Sequence, residues 1–352
     1  MTLRVGIVGC GFIGTVHSFV LGALARAGLV DASVTATHDA DRARAARMAE
    51  QHGADAFDDL ERLLDLVDVV WVCTWTAAHL PVVAAAVERA RAVFCEKPLG
   101  TTLDECEEIA ALLSRVPHQV GLVLRHAPVF QAAAEAVASG RYGRRLTAVL
   151  RDDQYFPNQG QYGSAWRADA TKAGGGTLIE HSIHDVDVLA WILGEPTWVR
   201  ANIATRFGHA GIDDVALVTL GYDDGALATL VSVWHQVMSR PSSRRLEVFC
   251  EDALLWTEND YLGPLRVEMT DGASVIDAQL PSWVSRLDVP DEFVAPVAQY
   301  AEPTKAFLDA IAADGAAARG WPDAATALSA HRVVDAAYRS AADGGGPARV
   351  RG

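Results

Sequence analysis

A glycine-rich turn near the start of the chain constrains its fold more than any other sequence feature. Residues 3–8 form an apolar run typical of a buried strand, and residues 13–27 carry apolar side chains at helical spacing. Between these segments lie three glycines in a G-x-G-x-x-G pattern, Gly9, Gly11 and Gly14. The first glycine permits a tight turn, the second lets the backbone approach a pyrophosphate, and the third allows close strand–helix packing. The turn therefore predicts a dinucleotide-binding βαβ unit.

The remainder of the N-terminal region alternates short β-type runs with helical runs, as parallel sheets with crossover helices do. Further strands are predicted over 33–37, 67–73, 92–95 and 119–124, and helices over 41–52, 59–66, 79–91 and 103–115. The run 67–73 is almost entirely apolar, as expected for a strand covered on both faces. Residues 1–122 are predicted to form a doubly wound α/β domain with a parallel sheet.

The pattern changes after residue 122. Strands are predicted over 146–151, 199–206, 215–221, 226–233 and 244–250, and helices only over 131–139, 304–313 and 324–341. A series of strands with few helices favours an α+β domain. Residues 123–352 are therefore predicted to form a C-terminal α+β domain that contains a large, mostly antiparallel open sheet.

Composition excludes several classes of protein. The chain has 45 acidic and 30 basic residues and a formal net charge of −15. Nucleic acid is not an expected partner, because its binding depends mainly on Lys and Arg contacts to phosphates. No apolar run reaches the roughly 20 residues that cross a bilayer, and no signal-peptide layout precedes the first strand. The five cysteines are widely spaced without a C-x-x-C pair, which predicts a reduced, cytoplasmic protein without structural zinc.

An acidic residue follows the second predicted strand. Asp39 lies where a carboxylate accepts hydrogen bonds from the ribose hydroxyls of NAD and repels the 2′-phosphate of NADP. His38 and Arg42 are near enough in sequence to weaken that repulsion. The sequence favours NAD, and NADP remains the alternative.

A second motif, Glu96-Lys97-Pro98, ends the strand predicted over 92–95. Together with the glycine run it resembles the glucose–fructose oxidoreductase and inositol dehydrogenase family, written Gfo/Idh/MocA. The resemblance extends over nearly the whole chain. Its further matching positions are His17, Thr74, His79, Arg125, Pro128, Trp166, Arg167, Gly174, Gly175, Gly176, Glu180, His184 and Asp187.

The resemblance implies an N-terminal Rossmann domain that binds NAD and an enzyme that moves a hydride to or from a sugar, a sugar derivative or an inositol-like cyclitol. His184 is then the general base, and Lys97 stabilises the developing alkoxide. Glu180 orients the substrate or tunes His184. The family usually has Asp where this chain has Glu180, so the longer side chain changes the expected reach of the carboxylate.

The residues themselves agree with this assignment. Glu180, His184 and Asp187 follow an i, i+4, i+7 spacing, which predicts one stripe of a single helix. Ionisable groups on an otherwise apolar helix are costly unless they serve a site. Lys97 is predicted at the carboxyl end of a strand, the edge where open α/β sheets bind ligands.

Two sets of contacts are predicted from the motifs and the resemblance. The cofactor contacts are Gly9, Gly11, Phe12, Ile13, Gly14, Asp39, Thr74, Trp75, His79, Glu96 and Lys97. The substrate contacts are Arg125, Asp153, Tyr155, Trp166, Arg167, His181 and His184. Several of these residues could also have a purely structural role. Arg125 could form an ion pair within the protein, and His181 could face solvent from a helix. No metal site is expected.

Two other functions remain open on the same scaffold. One is an NAD-dependent glycosidase that acts through transient oxidation and elimination, and the other is a non-catalytic NAD-binding regulator. A substrate that carries a nucleoside diphosphate is also open. Strands such as 215–220 and 227–233 are more apolar than one covered face requires. They predict a homodimer or homotetramer joined through the second sheet.

Overall fold

The computed structural model describes residues 2–240 and 242–351, which form two compact units. The first unit contains the chain up to Val123 together with Pro281–Leu328. The second contains Leu124–Leu280 together with the segment from Ser329 onward. Each unit is built around its own β-sheet.

The first unit holds a six-stranded parallel sheet in the order β3-β2-β1-β4-β5-β6. Its strands are β1 (Leu3–Val8), β2 (Ala32–His38), β3 (Asp55–Ala56), β4 (Val69–Val72), β5 (Ala92–Cys95) and β6 (His118–Val120). Its helices up to that point are α1 (Phe12–Arg26), α2 (Arg42–His52), α3 (Leu60–Leu66), α4 (His79–Glu88) and α5 (Leu103–Leu113). This is the strand order of a Rossmann domain. Strands β2 and β3 are added on one side of β1, and strands β4 to β6 are added on the other side, so the strand order reverses between β1 and β4. The predicted doubly wound sheet is confirmed.

The second unit holds a nine-stranded sheet in the order β14-β13-β12-β11-β7-β10-β9-β8-β15. Its elements before residue 280 are α6 (Pro128–Ala138), β7 (Arg145–Tyr155), α7 (Ala170–Ala173), α8 (Ile183–Leu193), β8 (Trp198–Ala204), β9 (Val215–Gly221), β10 (Leu227–His235), β11 (Ser243–Cys250), β12 (Ala253–Thr257), β13 (Pro264–Met269) and β14 (Gly272–Asp277). The β7–β10 pair is parallel, and the other strand pairs are antiparallel. The predicted mostly antiparallel sheet is confirmed.

The C-terminal segment contains α9 (Asp291–Asp314), α10 (Ala324–Ala342) and β15 (Ala348–Arg349). The sequence assigned all of 123–352 to the second domain, but Pro281–Leu328 belongs to the first unit. The reason is apolar packing, because α9 contacts α1 and places Phe307 in the core of the first unit. There the Phe307 ring lies 6.1 Å from the ring of Trp71, which stacks on Phe94 at 5.3 Å.

Across the described residues, the structure contains no helix that is both long enough and apolar enough to span a membrane.

Candidate functional site

Four consecutive strands of the first sheet end at the same edge, and each is followed by a predicted cofactor residue. In spatial order, β2 leads to Asp39, β1 to Gly9, β4 to Thr74 and β5 to Glu96. Backbone hydrogen bonds join these ends, from Gly9 N to His38 O (2.8 Å) and from Glu96 N to Val72 O (3.0 Å). The sequence-predicted residues of this domain therefore come together at the carboxyl edge where the strand order reverses.

The glycine turn leaves room for a cofactor backbone. Gly9 has φ +95°, and a Cβ there would lie 2.5 Å from the carbonyl of Cys73. A Cβ on Gly14 would lie 2.0 Å from Gly9 O, so strand and helix pack too closely for any side chain. A Cβ on Gly11, the N-cap of α1, would meet no atom within 4 Å. The open side of the turn thus lies at the N-terminus of α1, which fits a pyrophosphate.

Both carboxylate oxygens of Asp39 are held by backbone N–H groups. Cys10 N donates to Oδ2 at 2.6 Å, and Asp41 N donates to Oδ1 at 2.7 Å. These bonds fix the carboxylate against the glycine turn and leave each oxygen further acceptor capacity. The arrangement fits a ligand with two adjacent hydroxyls.

The basic residues next to Asp39 have other partners. Arg42 Nε forms an exposed ion pair with Asp58 Oδ1 at 2.9 Å. His38 Nδ1 lies 2.9 Å from the carbonyl oxygen of Phe57. Neither contact directs a positive charge toward the Asp39 carboxylate.

Glu96, which was predicted to contact the cofactor, has protein partners in the structure, and its contact with the cofactor stays a prediction. Its side chain is buried, and Oε1 lies 2.7 Å from His17 Nε2. Its other oxygen, Oε2, accepts the backbone N–H of Lys97 at 3.2 Å. Burial raises the pKa of Glu96, but the hydrogen bond and electrostatic interaction with His17, together with the charge of Lys97, outweigh it, so the pKa lies below the ordinary value. The carboxylate is therefore ionised at neutral pH.

His79 connects two of the loops at this edge. Its Nδ1 lies 3.1 Å from Leu99 O, and its Nε2 lies 3.3 Å from Thr74 O. The side chain is buried, so its described contacts are structural. The two predicted contact residues with large exposed surfaces are Phe12 (42%) and Trp75 (36%).

In the second unit, the predicted single helix through Glu180, His184 and Asp187 is wrong. Thr177–His181 forms one turn of π-helix, and α8 begins only at Ile183. Glu180 therefore belongs to the π-turn, while His184 and Asp187 belong to α8. Single π-turns occur frequently at functional sites.

The glycine run before this turn is required by a close backbone approach. A Cβ on Gly176 would lie 1.8 Å from Asp213 O. The Asp213 carboxylate accepts the N–H groups of Gly176 (2.7 Å) and Leu178 (2.9 Å) and the hydroxyl of Tyr338 (2.8 Å). These bonds hold the start of the π-turn, and with it Glu180, against the segment that precedes β9.

Glu180 forms an ion pair within the second unit. Arg167 Nε donates to Glu180 Oε2 at 3.2 Å, and the Glu180 side chain is fully buried. The Arg167 guanidinium also lies 4.5 Å from the ring centre of Trp166. Three predicted site residues therefore form one contiguous group.

Arg125 is occupied by a structural partner. It makes a bidentate bond to Asp187, with Nε–Oδ2 at 2.9 Å and Nη2–Oδ1 at 2.8 Å, and Asp187 is buried. The guanidinium lies 5.3 Å from the Trp191 ring. The ion pair that was the alternative role for Arg125 is therefore present in the structure. The contact of Arg125 with substrate stays a prediction.

A buried polar network flanks His184 and was not predicted. Arg244 Nε donates to Asp185 Oδ1 at 2.7 Å, and Ser182 Oγ donates to Asp152 Oδ2 at 3.1 Å. Asp185 and Ser182 lie on either side of His184 in the chain. Burial raises the pKa of Asp185 to about 6, although the charge of Arg244 opposes this shift. The network fixes the turn that carries His184.

His181 belongs to the same network. Its Nε2 lies 2.9 Å from Asp152 Oδ2 and 2.8 Å from Arg244 Nη2. One imidazole nitrogen either donates to the carboxylate or accepts from the guanidinium, so only one of these bonds exists at a time. The His181 side chain therefore lies in this network, with 16% of its surface exposed, and does not face solvent.

The structure does not bring Asp153 and Tyr155 together with this network. Asp152 faces His181 and Ser182, and successive residues of a strand point to opposite faces. Asp153 accordingly bonds Arg240 Nη2 at 2.9 Å on the other face of the sheet. Their predicted contact with substrate remains a prediction.

Among the described residues, no cluster of His, Cys, Asp and Glu has the geometry to hold a metal ion.

Comparison with known protein families gives two matches. Residues 3–123 match the oxidoreductase family model of the NAD-binding Rossmann fold. Residues 130–255 match the Gfo/Idh/MocA C-terminal domain.

Individual relatives agree with these matches. The chain is 29% identical to inositol 2-dehydrogenase of Rhizobium meliloti over 97% of this chain and 98% of the relative. It is 32% identical to inositol 2-dehydrogenase 3 of Saccharopolyspora erythraea over 81% of this chain and 85% of the relative. The solved structure of levoglucosan dehydrogenase with NADH and levoglucosan superposes with a TM-score of 0.87 at 21% identity, over the full length of both chains.

Proposed function

Since the chain belongs to the Gfo/Idh/MocA family of NAD-binding oxidoreductases, we propose that its substrate is a secondary alcohol or ketone of a sugar, a sugar derivative or an inositol-like cyclitol. The chain is an enzyme that acts on CH–OH groups. The observation that carries the proposal is the position of Lys97, the second residue after β5, at the edge formed by the dinucleotide turn and Asp39. A cation at this edge suits a reacting oxygen beside a bound cofactor.

The proposed coenzyme preference is NAD over NADP. NAD, when bound, accepts or supplies the hydride. Gly9, Gly11 and Gly14 would hold its pyrophosphate, and Asp39 would accept the ribose hydroxyls. Asp39 would also repel a 2′-phosphate, since Arg42 is engaged by Asp58.

The proposed roles of the remaining site residues follow from their chemistry. Lys97 donates a hydrogen bond to the reacting oxygen and stabilises its negative charge. His184 removes the hydroxyl proton in oxidation and returns it in reduction, because an imidazole exchanges protons near neutral pH. Both residues are half-buried, so each keeps access to a ligand.

Glu180, Arg167 and Trp166 form the proposed substrate-orienting group. The Glu180–Arg167 pair offers an acceptor and several donors in fixed positions. The Trp166 ring offers an apolar surface to C–H groups of a sugar or cyclitol. Such alternation of polar groups and an aromatic ring suits a polyol better than an apolar alcohol.

The proposed assembly is a homodimer or homotetramer formed through the open face of the second sheet. Leu217 on β9 and Leu227 on β10 remain 47% and 44% exposed, and Phe249 on β11 remains 37% exposed. Large apolar side chains exposed on several strands of one sheet favour an interface there. The proposed location is the cytoplasm, since all five cysteines are free and buried.

The test is a substrate panel of inositols, free sugars and glycosides, each with NAD and with NADP, followed by NADH or NADPH absorbance. Oxidation of a polyol with stoichiometric NADH supports the proposal. Consumption of a glycoside without net formation of NADH would contradict the proposed dehydrogenase activity. It would favour the NAD-dependent glycosidase that acts through transient oxidation and elimination. Coenzyme binding without turnover of any polyol would contradict the proposed substrate class.

A further inference from the structure

A buried hydrogen bond joins the helix of the dinucleotide turn to the residue before Lys97. His17 lies on α1 and has no exposed surface, and its Nε2 is 2.7 Å from Glu96 Oε1. Glu96 Oε2 accepts the backbone N–H of Lys97 at 3.2 Å. A single carboxylate therefore connects α1 with the start of the loop that carries the Lys97 side chain.

The surroundings of His17 show which of its ring nitrogens donates to Glu96. His17 Nδ1 is buried and has no hydrogen-bond partner among the described residues. A proton on Nδ1 would be a buried donor without an acceptor, which is costly. Nε2 therefore carries the proton of this hydrogen bond and donates it to Glu96 Oε1. The ring is further restrained by edge contacts with Phe94 (5.0 Å) and Tyr300 (5.7 Å).

The carboxylate has little freedom to move. A Cβ on Gly121, across from Glu96, would lie 2.7 Å from Oε1. Glycine at 121 therefore admits the carboxylate, and no larger residue fits without displacement. Because Glu96 is held on these sides, its bond to the Lys97 N–H transmits a fixed position to the lysine backbone.

We propose that His17 is a positioning residue that holds Lys97 in its working position through the Glu96 carboxylate. This inference rests on the role of Lys97 under the proposed function. Loss of the His17 donor leaves a buried carboxylate without its main partner, so Glu96 rotates or takes up a proton. Either change releases the Lys97 N–H and displaces the lysine.

The experiment compares His17→Leu with His17→Gln in the full-length protein. Leu fills the apolar part of the pocket without a donor, whereas the Gln amide nitrogen reaches about as far as Nε2 and restores the bond. Tyr300→Leu is the matched control, because it removes an edge contact to His17 and leaves the hydrogen bond. Hydrogen–deuterium exchange of residues 96–101 is measured without substrate, NAD affinity by fluorescence quenching, and kcat with the substrate found in the panel.

We expect His17→Leu to increase exchange at 96–101 and to lower kcat by up to about 10²-fold, as small displacements of a reacting group do. NAD affinity stays close to that of the wild type, and His17→Gln restores both exchange and kcat. Unchanged exchange and kcat in a folded His17→Leu variant would overturn the inference. So would a loss confined to NAD affinity. Lys97→Ala separates the positioning role of His17 from the proposed catalytic role of Lys97. An active Lys97→Ala enzyme would refute the role of Lys97 itself.

Discussion

Arg167 Nε donates to Glu180 Oε2 at 3.2 Å, in an ion pair with a carboxylate whose side chain has no exposed surface. The π-turn sets the position of Glu180, and the Asp213 carboxylate anchors that turn through two backbone N–H groups. Glu180, which is one methylene longer than the Asp usual in the family, therefore lies in the π-turn and not in α8.

Replacement of Glu180 by Gln is expected to lower kcat/KM for the polyol by about tenfold or more, because a hydrogen bond to a charged group contributes about 1.5–3 kcal/mol. The loss should appear with the polyol and leave the KM for NAD unchanged. Steady-state kinetics in both substrates measures this. Asp169→Asn is the control, since Asn caps α7 as Asp does and the residue is half exposed. Equal losses in both KM values would contradict a substrate-orienting role.

Lys97→Ala is expected to lower kcat by about 10²–10³-fold, the usual effect of removing one group that stabilises an oxyanion. Affinity for NAD should change little, because the glycine turn and Asp39 hold the dinucleotide. Rapid kinetics measures the expected loss of kcat, and an NAD titration measures the affinity for the coenzyme. Lys172→Ala provides the comparison, since Lys172 is an exposed lysine that pairs with Asp169. An active Lys97→Ala enzyme would exclude Lys97 as the electrophile.

Asp39→Ser is expected to weaken NAD binding by about tenfold, as loss of a charge-assisted hydrogen bond does, and to improve binding of NADP. The ratio of kcat/KM for the two coenzymes measures the change. Asp41→Ser is the matched control, because Ser also caps α2 and the Asp39 carboxylate stays in place. An unchanged coenzyme ratio in Asp39→Ser would show that the preference originates elsewhere.

Much of the first unit could be predicted from sequence because its signals are local. Each strand is a short apolar run, and the glycine turn and the Glu96-Lys97-Pro98 motif lie where those runs end. Helix α9 was partly missed for an equally local reason. Pro296 and Pro303 lie inside it, and a proline predicts a helix end, so the predicted helix began at 304 whereas α9 begins at Asp291.

The second unit was less predictable because its site depends on long-range contacts. Arg244 joins Asp185 across 59 residues and Asp152 across 92. No spacing within one segment indicates such a network. The helical spacing of residues 180, 184 and 187 also gave no sign of the π-turn, which accompanies the close approach of Gly176 to Asp213.

The exposed face of the second sheet leads to a prediction about assembly. Leu217→Glu is expected to dissociate the homo-oligomer, because it places a charge among apolar side chains that an interface would bury. Light scattering at micromolar concentration measures the mass. Gln51→Glu, at an exposed end of α2, controls for the added charge. A monomeric wild-type protein would refute the proposed assembly.

The buried Asp185 predicts how stability depends on pH. Burial raises the pKa of Asp185 from 3.8 to about 6, so the folded protein binds this proton more tightly than the unfolded chain does. Its contribution to the free energy of unfolding is therefore full below about pH 4 and is lost as pH rises through about 6. The loss is at most about 3 kcal/mol, because one pKa unit corresponds to about 1.4 kcal/mol.

Asp185→Asn removes the titrating group and keeps an oxygen that accepts from Arg244. Urea unfolding across this pH range should therefore show a weaker pH dependence in the variant than in the wild type, whatever the absolute stability of each. Asp277→Asn, on the exposed strand β14, should leave the wild-type dependence intact. Parallel curves for wild type and Asp185→Asn would mean that Asp185 is already ionised in the folded protein at acidic pH, and that Arg244 outweighs burial in this network.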